Sequence, residues 1–167
     1  MRLEPLTELS PRQAALRDRI AGNRRGLPGP FQVWIRSPEL CDRVEALATY
    51  CQHGSPLPER LRELILMLVA RHFGARHQWD AHLDKATAAG LDPRALERLD
   101  AGEEPEFTKP DEQALYRLVT ELLETHFVDD AAFTEAYNEL GETGLVEVIG
   151  SLGNYSMFAI LVNAFQV

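Results

Sequence analysis

A chain of 167 residues with 45% apolar composition is long enough to bury roughly 70% of its unfolded surface around one core, so neither a metal nor a disulfide is needed to hold it together. Twenty-six acidic residues against 17 basic give a formal charge of -9, and the basic residues are scattered rather than aligned, which argues against a nucleic-acid partner. Cys41 and Cys51 share one helical pattern and lie about 15 Å apart by helical rise, beyond disulfide reach, so both are expected to be reduced and buried.

In chain order the punctuation is helical. The opening residues, Met1 to Gln13, carry no apolar segment behind a basic start, so no signal peptide is read and a cytoplasmic protein is expected. Ser10-Pro11-Arg12-Gln13 has the form of a capping box, and with Gly22 as the stop it predicts a helix over 11–21. Two prolines and two glycines between Asn23 and Ser37 predict a loop that lays Phe31, Trp34 and Ile35 against the core. Ser37-Pro38 repeats the start signal, followed by Leu40, Val44, Leu47, Ala48 and Cys51 at helical spacing up to Gly54. A helix over 58–73 ends at Gly74, the next begins near His77 and stops at Gly90, and Asp92-Pro93 caps a short one.

The acidic stretch 100–110 reads as a surface connection rather than a domain boundary. Ala114, Leu115, Leu118, Val119, Leu122 and Leu123 then mark a helix over 113–126. A further helix starts at Asp129-Asp130, carries Phe133, Tyr137 and Leu140, and closes at Gly141; the last follows Glu142-Thr143 to the C-terminus. That last run is apolar, but Glu147, Asn154 and Asn163 interrupt it, which favours a buried helix or an oligomer contact over a membrane span. No window alternates with period two, so the expectation is one all-α domain of seven or eight helices over 1–167: an N-terminal helix and loop at 11–36, a half at 37–99, and a C-terminal half at 100–167.

Chemistry concentrates in RELILMLVARHFGARHQWDAH. His72, His77 and His82 are spaced by five, which turns His77 and His82 about 140° apart on a helix; ligands sharing one metal from one helix need spacing of three or four, so no metal site is expected. Glu63 is flanked by Leu61, Leu64, Ile65, Leu68 and Val69, and a carboxylate beside such surface is desolvated, the condition under which it becomes a useful proton donor. The competing reading makes Arg60, Arg62 and Glu63 a solvated stripe. Gln78, Trp79 and His82 share a face of the following helix, which fits either a pocket wall or a satisfied core histidine. His53 and His126, at helix ends, read as partners of the helix dipole.

The run RELILMLVARHFGARHQWDAHLDKATAAGL resembles the signature of the carboxymuconolactone decarboxylase family, which includes the alkylhydroperoxidase D-like proteins. PGPFQVWIRSPEL, DEQALYRLVTELLETHFVDD and GLVEVIGSLGNYSMFAILVNAF resemble its flanking parts, so the likeness spans nearly the whole chain. Thiol-dependent members carry a CxxC pair that falls here on Ala75 and Gln78, while the framing glutamate and histidine fall on Glu63 and His82, and an additional family histidine on His77. Many cysteine-free relatives place Glu-Trp where this chain has Gln78-Trp79.

The resemblance implies an all-α, multi-helix alkylhydroperoxidase D-like bundle without thiol peroxidase activity. It implies catalytic Glu63, His82 and His77, with Gln78, Trp79, Trp34, Phe31 and Tyr155 lining a substrate pocket. The activity expected is cofactor-free acid/base chemistry, of the decarboxylase (lyase) kind, on a small carboxylated lactone or related oxygenated compound. A homo-oligomer, trimer or hexamer, is expected, with no nucleic-acid or membrane partner. The alternative is a non-catalytic oligomeric binding or assembly protein on the same scaffold.

Overall fold

The computed structural model describes residues 1–24 and 26–167. Among them are eight α-helices and no strand: α1 (Pro11–Arg24), α2 (Gly29–Trp34), α3 (Pro38–Thr49), α4 (Glu59–His72), α5 (Arg76–Ala88), α6 (Pro93–Ala101), α7 (Pro110–Thr125) and α8 (Asp130–Phe165). A π-helical turn, Tyr50–Gly54, extends α3. The helices group into two compact units, one of residues 1–54 with 160–167, the other of residues 55–159. That division falls inside the 37–99 stretch that sequence alone treats as one half.

In the first unit the capping box closes as expected. Gln13 N donates to Ser10 Oγ at 3.3 Å and Ser10 N to Gln13 Oε1 at 2.9 Å, satisfying two helix-end donors reciprocally. The helix does not stop at Gly22 but runs on to Arg24. The predicted loop over 23–37 contains α2, whose start is set by Pro28 and Pro30, since proline's fixed φ suits a first turn. Its Phe31 is buried beneath the Arg24 guanidinium, 4.9 Å from the ring centre.

Against expectation Leu40 and Leu47 are exposed, and the buried stripe of α3 is Cys41, Val44, Glu45 and Ala48, a helical step away. Small residues on that face let α1 and α2 pack closely on α3. Glu45 is buried with Thr49 Oγ1 donating to it at 2.9 Å. On its rim Arg19 and Arg12 both donate to Asp42, holding that carboxyl below the usual aspartate range. Cys41 and Cys51 are both buried and not joined by a disulfide.

The second unit is built around α4. An unbroken apolar run suits a helix enclosed on all sides, and every residue from Glu63 to Ala70 is buried. Helices α5, α6 and α7 pack on it. The turn from α4 to α5 takes only Phe73, Gly74 and Ala75: Gly74 has φ 62°, while Gly74 N and Ala75 N donate back to Arg71 O and Ala70 O. This closes the last carbonyls of α4 in a left-handed stop that glycine adopts without strain. Asp92 caps α6 by accepting from Arg94 N at 2.9 Å.

Helix α7 begins at Pro110, earlier than the apolar stripe implies. Its buried Glu112 accepts from Lys109 Nζ at 2.8 Å and from Arg60 Nη1 at 3.2 Å, and Arg60 also pairs with Asp111. Helix α8 is interrupted at Gly141 (φ 69°, ψ 175°), so the two predicted helices follow one another with only that residue between them. Before the break Ala132 and Ala136 are buried, whereas Phe133 and Tyr137 are exposed and stack on each other at 6.3 Å. By length and composition alone α8 would pass for a membrane span, yet Val148, Ser151, Leu152 and Asn154 within it are buried in the second unit.

Candidate active site

The hairpin of α4 and α5 brings together two side chains that lie 19 positions apart in sequence. Glu63 sits nine residues before the end of α4 and His82 six after the start of α5, roughly 14 and 9 Å from the turn by helical rise, so the tight Gly74 reversal leaves them nearly level. His82 Nδ1 lies 2.8 Å from Glu63 Oε2. The side chains are 18% and 11% exposed respectively, and Glu63 as a whole only 8%. The solvated-stripe reading of Glu63 is therefore excluded. Its neighbours on that reading are engaged elsewhere: Arg60 with Asp111 and Glu112, and Arg62 with the Ser55 carbonyl at 3.1 Å.

An ionised carboxylate only accepts hydrogen bonds, so with Glu63 ionised the hydrogen in this contact belongs to the ring Nδ1 of His82. For a neutral ring that leaves the lone pair on Nε2. The pair thus has a buried acceptor, an oriented imidazole and one ring nitrogen uncommitted to Glu63, an arrangement able to take up or deliver one proton while a fixed negative charge stands behind the ring.

One turn before His82, Gln78 is half-buried, and its Oε1 is enclosed with no hydrogen-bond partner among the described residues. A buried amide oxygen without a partner costs free energy that a bound donor recovers. Trp79 is 2% exposed within the hydrophobic core of the second unit, and Tyr155 packs at the edge of that core. His77 is exposed on the first turn of α5, about 140° around the helix from His82. Phe31 and Trp34 belong to the first unit, the former in its core and the latter half-buried in α2. Arg76 pairs with Asp80 at 2.8 Å and with Asp100 at 2.7 Å on the solvated side of α5. Among the described residues no group of three or more histidine, cysteine or acidic side chains is placed to hold a metal ion.

Ala75 and Gln78, the positions matching a CxxC pair, are the N-cap and third residue of α5, where a helix N-terminus would activate a thiolate. Neither is a cysteine. Sequence reasoning missed a cavity at the far end of α4, lined by Arg71 and Tyr116 among others. No local motif marks it, because its walls come from segments up to 56 positions apart.

No family model matches the chain, and no curated protein matches it. Solved structures do. An uncharacterized peroxidase-related protein from Silicibacter sp. TM1040 superposes with a TM-score of 0.79 at 13% identity, covering 100% of this chain and 89% of that one. The debrominase Bmp8, solved with 2,3,4-tribromopyrrole as a cysteine-to-alanine variant, gives 0.75 at 15% identity over 98% and 90% of the two chains. A protein of unknown function from Agrobacterium tumefaciens, proposed to be the antioxidant-defence protein AhpD, gives 0.69 at 21% identity over 78% and 90%. The eight-helix arrangement around the α4–α5 hairpin is the AhpD-like fold.

Proposed function

We propose that the chain is a cofactor-free acid/base enzyme in which His82 exchanges a proton with a small oxygenated substrate and Glu63 orients and charges it. The observation that carries this reading is the 2.8 Å contact between His82 Nδ1 and the buried Glu63 carboxylate. It favours exchanging the roles that sequence suggests: Glu63 is the more enclosed of the two and already accepts from the ring, so the proton carrier is His82 Nε2. The fold likeness to a debrominase solved with a bromopyrrole supports a small ring compound as a substrate shape, and the sequence resemblance points to a carboxylated lactone.

For decarboxylation the carbon–carboxylate bond breaks, its electron pair enters the conjugated system and carbon dioxide leaves. The imidazolium of His82 delivers its Nε2 proton to carbon and returns to the neutral ring, with Nδ1–H still held by Glu63. Isomerisation or another single proton transfer needs the same two residues. Thiol peroxidase chemistry lacks its nucleophile, since Ala75 and Gln78 stand at the required positions.

A non-catalytic oligomeric scaffold is the second reading, favoured by the exposure of Val146 and Ile149 on α8. Two measurements separate them. Ring-nitrogen NMR of His82 should show hydrogen on Nδ1 in the wild type and lose that preference in Glu63→Gln. Mass-spectrometric assay of carboxylated lactones beside peroxides should show lactone turnover that falls about 10²- to 10⁴-fold in Glu63→Gln and His82→Ala. Lactone binding without turnover, unaffected by either substitution, would establish the scaffold instead. Light scattering giving a monomer would remove the oligomer from both.

A further inference from the structure

The cavity at the far end of α4 has a volume of about 520 Å³, within the range of small-molecule sites, and neither Glu63 nor His82 lines it. Its walls come from the C-terminal half of α4, the end of α6 with the connection that follows it, and the middle and C-terminal part of α7, all inside the second unit. Its lining is mostly polar with an apolar part: Leu68 and Leu99 are buried there, and the Tyr116 ring, packed 5.5 Å from Phe107, adds a flat face.

Charge is fixed at the rim rather than neutralised. Arg71 is held by Nε donating to the Leu99 carbonyl at 2.9 Å, and its Nη2 lies where a side chain at Gly102 would begin, 2.6 Å from that virtual Cβ. Its guanidinium forms no ion pair among the described residues, although Glu103 lines the same cavity; Glu103 is instead engaged by Arg98 at 3.3 Å. Glu104 and Glu124 also line the cavity, and neither is paired with a cation among the described residues. Burial pushes the Tyr116 hydroxyl up, and the nearby Glu104 and Glu124 carboxylates push it further. The cavity thus joins an anchored donor fork, two unpaired carboxylates and a small apolar strip.

We propose that this cavity is a second ligand site, separate from the Glu63–His82 pair, for a small zwitterion bearing both an amine and a carboxylate. The carboxylate meets the Arg71 fork, the ammonium meets Glu104 and Glu124, and the hydrocarbon between them lies on Leu68, Leu99 and Tyr116. A planar guanidinium recognises a carboxylate through paired N–H donors, which a lysine would not reproduce. A simple anion would face the carboxylates, and a simple amine would face Arg71, so the bipolar ligand is the one both ends accept.

Titration calorimetry on the intact protein tests this with phenylalanine and 4-(aminomethyl)benzoate as zwitterionic probes, and benzoate and benzylamine as single-charge controls. Saturable binding is expected for at least one zwitterion and about tenfold or weaker for both controls. Arg71→Gln should weaken the zwitterion about tenfold to hundredfold, and Glu104→Gln/Glu124→Gln similarly, with circular dichroism confirming that each variant is folded. His82→Ala should leave this binding unchanged. No saturable binding by either zwitterion, equal affinity for a control, indifference to both cavity variants, or loss in His82→Ala would each overturn the proposal, the last by moving the ligand to the other site.

Discussion

Replacing Glu63 and His82 together by leucine tests whether the pair is held for chemistry or for stability. The two side chains are 11% and 18% exposed and joined at 2.8 Å. His82→Leu alone leaves a carboxylate in hydrocarbon without that partner and should cost about 2–4 kcal/mol, at the lower end if the group takes up a proton. Glu63→Leu alone leaves the ring N–H unpartnered, for about 1–3 kcal/mol. The double variant removes both desolvated groups and should fall between unchanged and about 2 kcal/mol more stable, giving a coupling of at least about 3 kcal/mol. Urea unfolding followed by circular dichroism and by Trp79 fluorescence in a Trp34→Phe background measures this, coincidence of the two transitions licensing a two-state treatment. A double variant destabilised by more than about 3 kcal/mol would show the pair to be structural, and the proton-transfer proposal would lose its physical motive.

Four further outcomes are expected. Cys41 and Cys51, 0% and 2% exposed, with burial pushing the Cys41 thiol up, should resist a thiol-specific reagent until urea is added; rapid labelling of the native protein would contradict this burial. Hydrogen bonds from Arg19, then Arg12, hold the Asp42 carboxyl below its unfolded value, so its contribution is present above the ordinary aspartate range and lost as pH falls through the folded value. Asp42→Asn should accordingly flatten the decline of the urea midpoint below about pH 4, and equal slopes for the two proteins would contradict the assignment. Ala75→Cys/Gln78→Cys should form an intrahelical disulfide on mild oxidation, detected as the loss of two hydrogens by mass; thiols that never pair would argue against the register with thiol-dependent relatives. Gly141→Ala should cost about 1–3 kcal/mol, because the φ of 69° and ψ of 175° there suit only glycine; a thermally unchanged variant would refute that strain.

Local signals carried much of the fold. The Ser10–Gln13 box, Gly74, Gly90 and Asp92 act through bonds within a few residues, so their letters announce them. The phase of α3 was not legible, because Leu40 and Leu47 outweigh Cys41 on any hydrophobicity count while close packing with α1 and α2 favours the small residue. The Glu63–His82 contact was legible because one short turn fixes the geometry between two helices. Whether Glu63 was buried or part of a charged stripe was not, since that depended on Arg60 being drawn to Asp111 and Glu112, more than fifty positions away.

The break at Gly141 divides two stretches of helix with unlike surroundings. At 100° per residue Ala132 and Ala136, buried before it, point within about 40° of each other, whereas Leu145, Val148, Ser151, Leu152, Asn154, Ala159 and Leu161, buried after it, spread over about 200° of the helix. The first rod is thus covered along a narrow strip and the second over more than half its circumference. Residues 130–165 are therefore two rods of unlike burial, and a hydropathy window that reads them as one apolar cylinder averages them. Adding or deleting one residue in the first rod would swing its narrow buried side by about 100°, so a length change should be tolerated better at the break than within that rod.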